Sequence, residues 1–588
     1  MSAVMEAREP SAKYLSTLQP PLVQHFELMA TASGGVAQLR ELILTLAVQG
    51  KLVPQDATDE PASELLKKIR TEKSRLISGG KIKRDKPIPE IEVDEVPFLT
   101  PKTWEWVRLG DVTSYIQRGK SPTYADHSAH RVISQKCVRW YGLDVEPARY
   151  ITADSLSKYE EVRFLQAGDL LWNSTGTGTI GRACLVEAQH ADAGLVADSH
   201  VTVVRPIKLI SSFLWRWIQS PYVQDEIEGS ASGTTNQIEL NTSTVVSHLM
   251  PLPPLAEQSR IVARVEELMR LCDTLETKGQ LEAAQHAQLV QTLLGALTAS
   301  ATPEELADNW QRVATHFDLL LDRPEAIDAL EQTILQLAVR GLLVPQDPKD
   351  EPASELLKKI RAEKDRLIAA GRIKREKPLP TIEEIPFTLP RGWTWTRLGV
   401  VGESFTYGSS QKACDDASAV PILRMGNIQG GKVLMGNLKY LKDLQDELPS
   451  LLLEKGDVLF NRTNSYELVG KTGIFPGDDR PVTFASYLIR IRFMEQFCSP
   501  EYANLYMNTS DCRANEIEPD LTQQTGQANY NGTKLRNIRF PLPPREEQSR
   551  IVARVESLRR LCADLRQRLA ARQTTQAHLA EALIDEVA

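Results

Sequence analysis

Cysteine is scarce and scattered: the seven cysteines, Cys137, Cys184, Cys272, Cys414, Cys498, Cys512 and Cys562, form no C-x-x-C pair. That excludes a zinc ribbon and a disulfide framework, and it fits a reducing cytoplasm. No apolar run is long enough to cross a bilayer, and MSAVMEAREPSAKYL at the N-terminus lacks an apolar signal core, so a cytoplasmic protein without membrane association is expected. Net positive charge is also missing. The chain carries a net charge of -8, whereas a free-standing, non-specific DNA binder is usually basic. There is no G-x-x-x-x-G-K-[ST] loop for ATP, no H-E-x-x-H, and no N/D-P-P-Y/F element of an adenine methyltransferase; PLPP lacks the polar residue before the prolines and the aromatic after them. The few histidines show no metal-ligand spacing.

One pattern invites a nucleotide-binding reading. Gly176, Gly178 and Gly181 in LWNSTGTGTIGRACL spell G-x-G-x-x-G. Such a cradle needs a strand before it and a helix after it. GDLLW supplies the strand, but ACLV is apolar and partly β-branched and is followed by another polar turn.

What the chain does contain is a duplication. VPQDATDEPASELLKKIRTEKSRLI (Val53 to Ile77) returns as VPQDPKDEPASELLKKIRAEKDRLI (Val344 to Ile368), and PLPPLAEQSRIVARVEELMRLC (Pro251 to Cys272) returns as PLPPREEQSRIVARVESLRRLC (Pro541 to Cys562). With 588 residues the chain is too long for one core. Each half runs in the same order. A helix ends at Gly50 or Gly341, a charged helix starts near Pro61 or Pro352, a basic patch and a Pro/acidic linker follow, then TWEWVRLGDV or TWTWTRLGVV opens a variable region that PLPP closes, and a long helix completes the unit. The flanks are almost identical while the variable regions have diverged. Two modules with different surfaces on duplicated supports suit the reading of two targets at a fixed separation.

The duplication tests the glycine pattern. GDLLWNSTGTGTIGRACLV aligns with GDVLFNRTNSYELVGKTGIF, so Gly176 and Gly178 become Asn464 and Tyr466 and only the last glycine persists, as Gly181 and Gly470. A phosphate cradle cannot lose the glycines that permit close backbone approach. The loop is therefore expected to be a polar surface loop after a buried strand.

After PLPP, Ile261, Val265, Leu268, Cys272 and Leu275 alternate steps of four and three, as do Ile551, Val555, Leu558, Cys562 and Leu565; this is a heptad seam. It blurs at Gly279 and is expected to resume at Leu289 and Leu293, and in the second copy at Leu579 and Leu583. Each seam is expected to pack antiparallel on the other. A helix of about 45 residues would span roughly 65 Å, close to two DNA turns of about 34 Å. An ordinary helical hairpin without a ruler role is the bland alternative.

The framework PLPP-x-x-EQ-x-RIV, the entry W-x-W-x-RLG and the inner G-D-[LV]-L-[FW]-N, each present twice, resemble the specificity (S) subunit of type I restriction–modification systems, the HsdS family. The resemblance spans nearly the whole chain, and the close match of the repeats points to the IB subfamily. It implies an α+β fold: two globular α/β target recognition domains joined by long antiparallel coiled-coil helices, with pseudo-two-fold symmetry from tandem duplication. The expected segments are a helical region with linker (1–97), a first recognition domain (98–254), a central helical region (255–386), a second recognition domain (387–544) and a C-terminal helix (545–588). Each domain would read one half of a bipartite asymmetric site in double-stranded DNA, with the helices setting the spacer. Two modification (M) subunits would carry S-adenosylmethionine and methylate adenine N6, and two restriction (R) subunits would use ATP and Mg. The chain itself would be non-catalytic and hold no cofactor. A helical scaffold with two protein-binding modules, or a fused catalytic methyltransferase or nuclease, are the alternatives.

Base reading needs polar side chains on a firm support. Candidates in the first module are Arg118 and Lys120 of QRGKSPTY, Ser174, Thr175, Thr177, Thr179 and Arg182 of the glycine loop, and Thr234 and Asn236 of GTTNQIELNTST. In the second they are Arg462, Asn464, Ser465, Tyr466 and Lys471 of the equivalent loop, and Gln524 and Asn529 of QQTGQANYNGTK; YGSSQK (Tyr407 to Lys412) is the rough equivalent of QRGK. For each, a solvated loop residue is the bland reading. Residues shared between copies, Gln237 with Gln527 and Asn241 with Asn531, suit a cap or a loop-shaping role better. The patches Lys81, Lys83, Arg84, Lys86 and Arg372, Lys374, Arg375, Lys377 suit phosphate contact, docking of an M subunit, or plain solvation. Trp104, Trp106, Trp393 and Trp395 suit core packing.

Overall fold

The computed structural model describes residue 32 and residues 34–587, apart from 85–86, 177, 192, 232–238, 301, 376, 443–447 and 525–526. It divides into two compact units, Met1–Leu281 with Gln573–Ala588, and Glu282–Arg572. Among the described residues no helix is long and apolar enough to cross a membrane.

In the first unit the helices Gly35–Val48 and Ala62–Ser78 precede the module. The module opens with strand Glu105–Arg108 and closes with strand Leu249–Leu252, and these two pair antiparallel, Trp106 opposite Pro251. Entry and exit therefore lie side by side. Between them a sheet runs in the order Thr113–Arg118, Val201–Pro206, Leu170–Asn173, Ala183–Leu185. The second unit repeats this plan. Thr394–Arg397 pairs with Arg539–Leu542, and a sheet starts Gly402–Tyr407, Leu488–Phe493, Val458–Asn461, Thr472–Ile474 before continuing into a hairpin. Trp172, Phe213 and Trp217 fill one core, Phe460, Tyr502 and Phe540 the other. Burying one large apolar side chain contributes about 1.5–3 kcal/mol, so these rings anchor each module. The entry tryptophans are core residues too: Trp104 and Trp393 are buried and Trp106 and Trp395 half-buried.

The shared motif is a clamp. The buried carboxylate of Glu257 accepts the indole N–H of Trp104 (2.9 Å) and an amide N–H of Gln55. Gln258 accepts from the Ile210 backbone N–H (3.0 Å) and donates to the Pro253 carbonyl (2.9 Å). Arg260 pairs with Asp59 at 2.6 Å. In the second unit Glu547 takes Trp393 (2.9 Å) and Gln346 (3.2 Å), Gln548 takes the Ser499 N–H (2.7 Å), and Arg550 pairs with Asp350 (2.6 Å). E-Q-x-R thus ties the V-P-Q-D segment, the entry strand and the long helix together, which is why it is spelled the same twice.

The long helices, Leu255–Ala299 and Arg545–Val587, correct the seam prediction in two respects. Their first partners are not each other. Ile261, Val265, Leu268 and Cys272 share a core with Leu39, Leu42 and Leu46 of Gly35–Val48, and Ile551, Val555 and Cys562 share one with Ile327, Leu330 and Ile334 of Pro324–Val339. In the second unit His286 lies 3.3 Å from Asp322 and Arg340 donates to the Thr298 carbonyl, so the end of the first long helix runs with Pro324–Val339. Arg566 pairs with Asp328 and Arg559 with Glu331, so the second long helix runs against it. The two long helices are antiparallel there, as members of a three-helix group. The register also differs by one residue. Val290, Leu294 and Leu297 are buried while Leu289 is 51% exposed, and Ala580 is buried while Leu579 is 47% exposed. The stretch from Gly279 to Leu289 is almost wholly exposed, so no buried apolar residue there holds the heptad phase, and a 3.6-residue helix drifts from a 3.5-residue repeat.

Candidate nucleic-acid interface

The G-D pair builds the turn that starts the central strand. Gly168 and Gly456 adopt φ of 89° and 93°, a region that favours glycine. Asp169, fully buried, accepts from Arg205 at 2.6 and 2.7 Å, and Asp457 accepts from Arg492 at 2.8 Å twice. The carboxylate beside it holds the Arg492 guanidinium pKa above its ordinary value. At the far end of the strand Asn173 donates to the carbonyls of Gln135 and Thr179, and Asn461 to that of Leu468. The next strand, Ala183–Leu185, pairs back antiparallel. The G-x-G-x-x-G stretch is therefore a hairpin loop with no helix after it, and a side chain at Gly176 would overlap the amide of Gln135. Its glycines serve the loop itself.

Three candidate segments meet at this end of the first module. Arg118, at the end of its strand, ion-pairs with Glu239 and donates to the Ser174 carbonyl (3.3 Å), which also accepts from the Leu240 N–H (2.9 Å). Thr175 bonds His200 Nδ1 at 2.7 Å. Other candidates are committed internally. Ser174 is buried against Thr202 (2.5 Å), which removes it from the surface. Thr179 donates to Gln135 (3.2 Å), Arg182 to the Gly178 carbonyl (3.2 Å), and Lys120 to the Lys158 carbonyl (2.8 Å). Thr177, Thr234, Asn236 and Gln237 lie outside the described residues, as do Lys86 and the side chain of Gln524.

The second module has the same backbone with other side chains. Tyr407 stands where Arg118 does, and its hydroxyl accepts the Gly532 N–H at 2.7 Å. Arg462 stands where Ser174 does, 5.0 Å over the Tyr407 ring. The guanidinium at this corner thus comes from one segment in the first module and from another in the second. Asn464 accepts its neighbour Ser465 N–H (2.8 Å), Asn529 accepts from Thr463 (2.6 Å), and Tyr466 lies under Arg513 (5.6 Å). Tyr466 and Lys471 are exposed. Asn531 caps the helix Gly532–Asn537 through the Lys534 N–H, whereas Asn241 holds the cap position of Thr242–Ser247 without that bond.

Reasoning from polar loops passed over His200 and Tyr487. Each is exposed and each follows a short strand, Val196–Ala197 or Thr483–Phe484. Aligning ADSHV with FASYL is the signal that could have found them. Tyr487 borders a cavity of about 660 Å³ that Ser409, Gln411, Lys412, Arg424 and Asn437 also line.

A second surface is basic. In the second unit a groove of about 1090 Å³ runs between helix Ala353–Ala369, the linker after it and the sheet face, lined by Arg361, Arg372, Lys374, Arg375, Lys377 and Arg490 among others. Lys364 at its floor donates to the Gly399 carbonyl (2.7 Å), and burial lowers its pKa to about 8. In the first unit Lys73 donates to Gly110 likewise, and Lys81, Lys83 and Arg84 are exposed.

Comparison with known proteins finds one family. The family model described as "Type I restriction modification DNA specificity domain" matches twice, at residues 101–285 and 390–572. The specificity subunit of type I restriction enzyme EcoEI from Escherichia coli is 35% identical over 567 residues, covering 94% of this chain and 93% of that one. That of EcoAI, also from Escherichia coli, is 35% identical over 560 residues with the same coverage. The crystal structure of the HsdS subunit from Thermoanaerobacter tengcongensis is 19% identical, covers 84% of this chain and 98% of its own, and superposes with a TM-score of 0.40. With two matched domains and relatives that span almost all of it, the chain belongs to the family of type I restriction–modification specificity subunits, the non-catalytic subunits that carry two target recognition domains.

Proposed function

We propose that each module reads one half of a bipartite, asymmetric site in double-stranded DNA and that the antiparallel helices set the unread gap between the halves. The observation that carries this is the loop corner: one backbone, built twice, presents Arg118, Thr175 and His200 in one module and Tyr407, Arg462 and Tyr487 in the other. Base edges are told apart by such changes in donor and acceptor pattern. The basic residues that recur in both halves suit phosphate contact, which positions a protein without carrying sequence information. The chain would assemble in the cytoplasm with two M subunits, which supply S-adenosylmethionine and methylate adenine N6, and two R subunits, which supply ATP and Mg chemistry, and would bind none of these cofactors itself.

The test is N6-methyladenine mapping of DNA from cells expressing this chain with its neighbouring M subunit. A single two-part motif with a fixed gap is expected, and replacing residues 108–250 by another module should change one half only. A stable complex that methylates nothing would overturn the reading and favour a protein-binding scaffold.

A further inference from the structure

The exposed turn residue His200, with Tyr487 as its counterpart, sits on a closely held stretch of backbone at the loop corner. The Ser174 N–H donates to the His200 carbonyl at 2.9 Å, and the Arg462 N–H to the Tyr487 carbonyl at 3.0 Å. The turn closes through Val201 N–H to Asp198 O (3.2 Å) and Leu488 N–H to Ala485 O (2.9 Å). On the other side Gly119 donates to the Val201 carbonyl (3.0 Å), and Ser486 donates to the Ser409 carbonyl (2.8 Å). Gly119 and Gly408 sit so close that a Cβ on either would overlap the backbone oxygens of Ala197 or of Phe484 and Ala485. No side chain fits there, which explains a glycine at that place in both copies. The turn is thus held from both flanks by main-chain contacts that do not depend on the variable side chains.

The side chain on this turn is what changes. His200 commits Nδ1 to Thr175, which leaves Nε2 as one outward donor or acceptor. Tyr487, 47% exposed, offers a phenolic hydroxyl, and the neighbouring Ser486 carbonyl accepts from Arg462 Nη1 (3.3 Å). A rigid support with a variable polar tip is the arrangement that discriminates among ligands, because little is lost in ordering it.

We infer that His200 in the first module and Tyr487 in the second are specificity-determining residues that contact a base edge and set which half-site each module accepts. This rests on the reading of the modules as DNA readers and names the residue through which they do it. A good bidentate contact to a base is worth about fivefold to 150-fold in preference, and a single donor or acceptor gives the lower part of that range.

The full chain in complex with its M subunits is the object to test, as wild type, His200→Tyr and Tyr487→His. Methylation mapping gives the motif, and competition binding with duplexes substituted one base pair at a time gives the preference at each position. His200→Tyr should change preference about fivefold or more at one or two base pairs of one half-site, leaving the other half and the gap as they were. Tyr487→His should do the same to the other half only. If an exchange prevents assembly, His200→Gln and Tyr487→Phe are read in the same way. Parental preference at every position, or a uniform loss of affinity across all sequences, would overturn the inference. A wild-type complex with no two-part motif would instead refute the proposed function, so the two failures are distinguishable.

Discussion

The indole N–H of Trp104 and the carboxylate of Glu257, 153 residues apart in the chain, meet at 2.9 Å, and Trp393 and Glu547 meet at the same distance in the second unit. Burial raises the pKa of both carboxyls, and the indole and glutamine donors offset part of that rise. Removing the acceptor strands a buried indole donor. Glu257→Ala is expected to destabilise the first unit by about 1–3 kcal/mol, and Glu547→Ala the second. Thermal unfolding would show the loss, while the methylated motif should not change, since the clamp touches no loop of the corner.

A second prediction concerns the buried carboxylate Asp169 with its partly exposed partner Arg205, and the copy Asp457–Arg492. Removing the carboxylate leaves a guanidinium without its charge partner, which costs up to about 3 kcal/mol where that guanidinium keeps some contact with solvent. Asp169→Ala should therefore be among the most damaging single changes in the first module, as measured by denaturant unfolding.

Acid should weaken the first module selectively. The His248 side chain is 9% exposed, and this partial burial lowers its pKa to about 4 from an ordinary 6.5. The folded state thus binds fewer protons than the unfolded one between these values. Stability is level above pH 6.5 and falls as the pH drops toward 4, by up to roughly 3 kcal/mol. Glu226, 3.9 Å away, offsets part of this once the imidazole is charged. The second module carries Ile538 at the same place: Leu109 donates to the His248 carbonyl and Leu398 to that of Ile538. His248→Ile should flatten the pH dependence of unfolding.

The basic groove should act on all sequences alike. Reversing Arg372, Lys374 and Arg375 to glutamate is expected to weaken DNA binding uniformly and to lower the slope of log affinity against log salt by about 0.9 for each phosphate no longer neutralised. Filter or fluorescence binding of the assembled complex across salt concentrations measures the slope, and the methylated motif should stay as it was.

The duplication and the role of the shared tryptophans were legible because each is written twice or carries its own chemistry. The partner of the heptad seam was not, since apolar spacing says that Ile261 and Val265 face something without saying what. The one-residue shift that buries Val290 in place of Leu289 arises in an exposed stretch where no pattern marks the phase. Ser174 looked like a loop residue from its neighbours, yet Thr202 on the adjoining strand covers it. His200 and Tyr487 stayed hidden because their significance comes from strand pairing and from two glycines that admit a close backbone, neither of which local composition records.

The pairing of entry and exit strands has a consequence for inheritance. Glu105–Arg108 lies against Leu249–Leu252, and Thr394–Arg397 against Arg539–Leu542, so everything between them is a cassette with adjoining ends. The nearly identical flanks outside those strands give both cassettes the same support, so either half of the chain offers the same edges to whatever lies between them. A lineage could trade cassettes whole, gaining a new address on DNA in one genetic event while the clamp and the helices pass on unaltered.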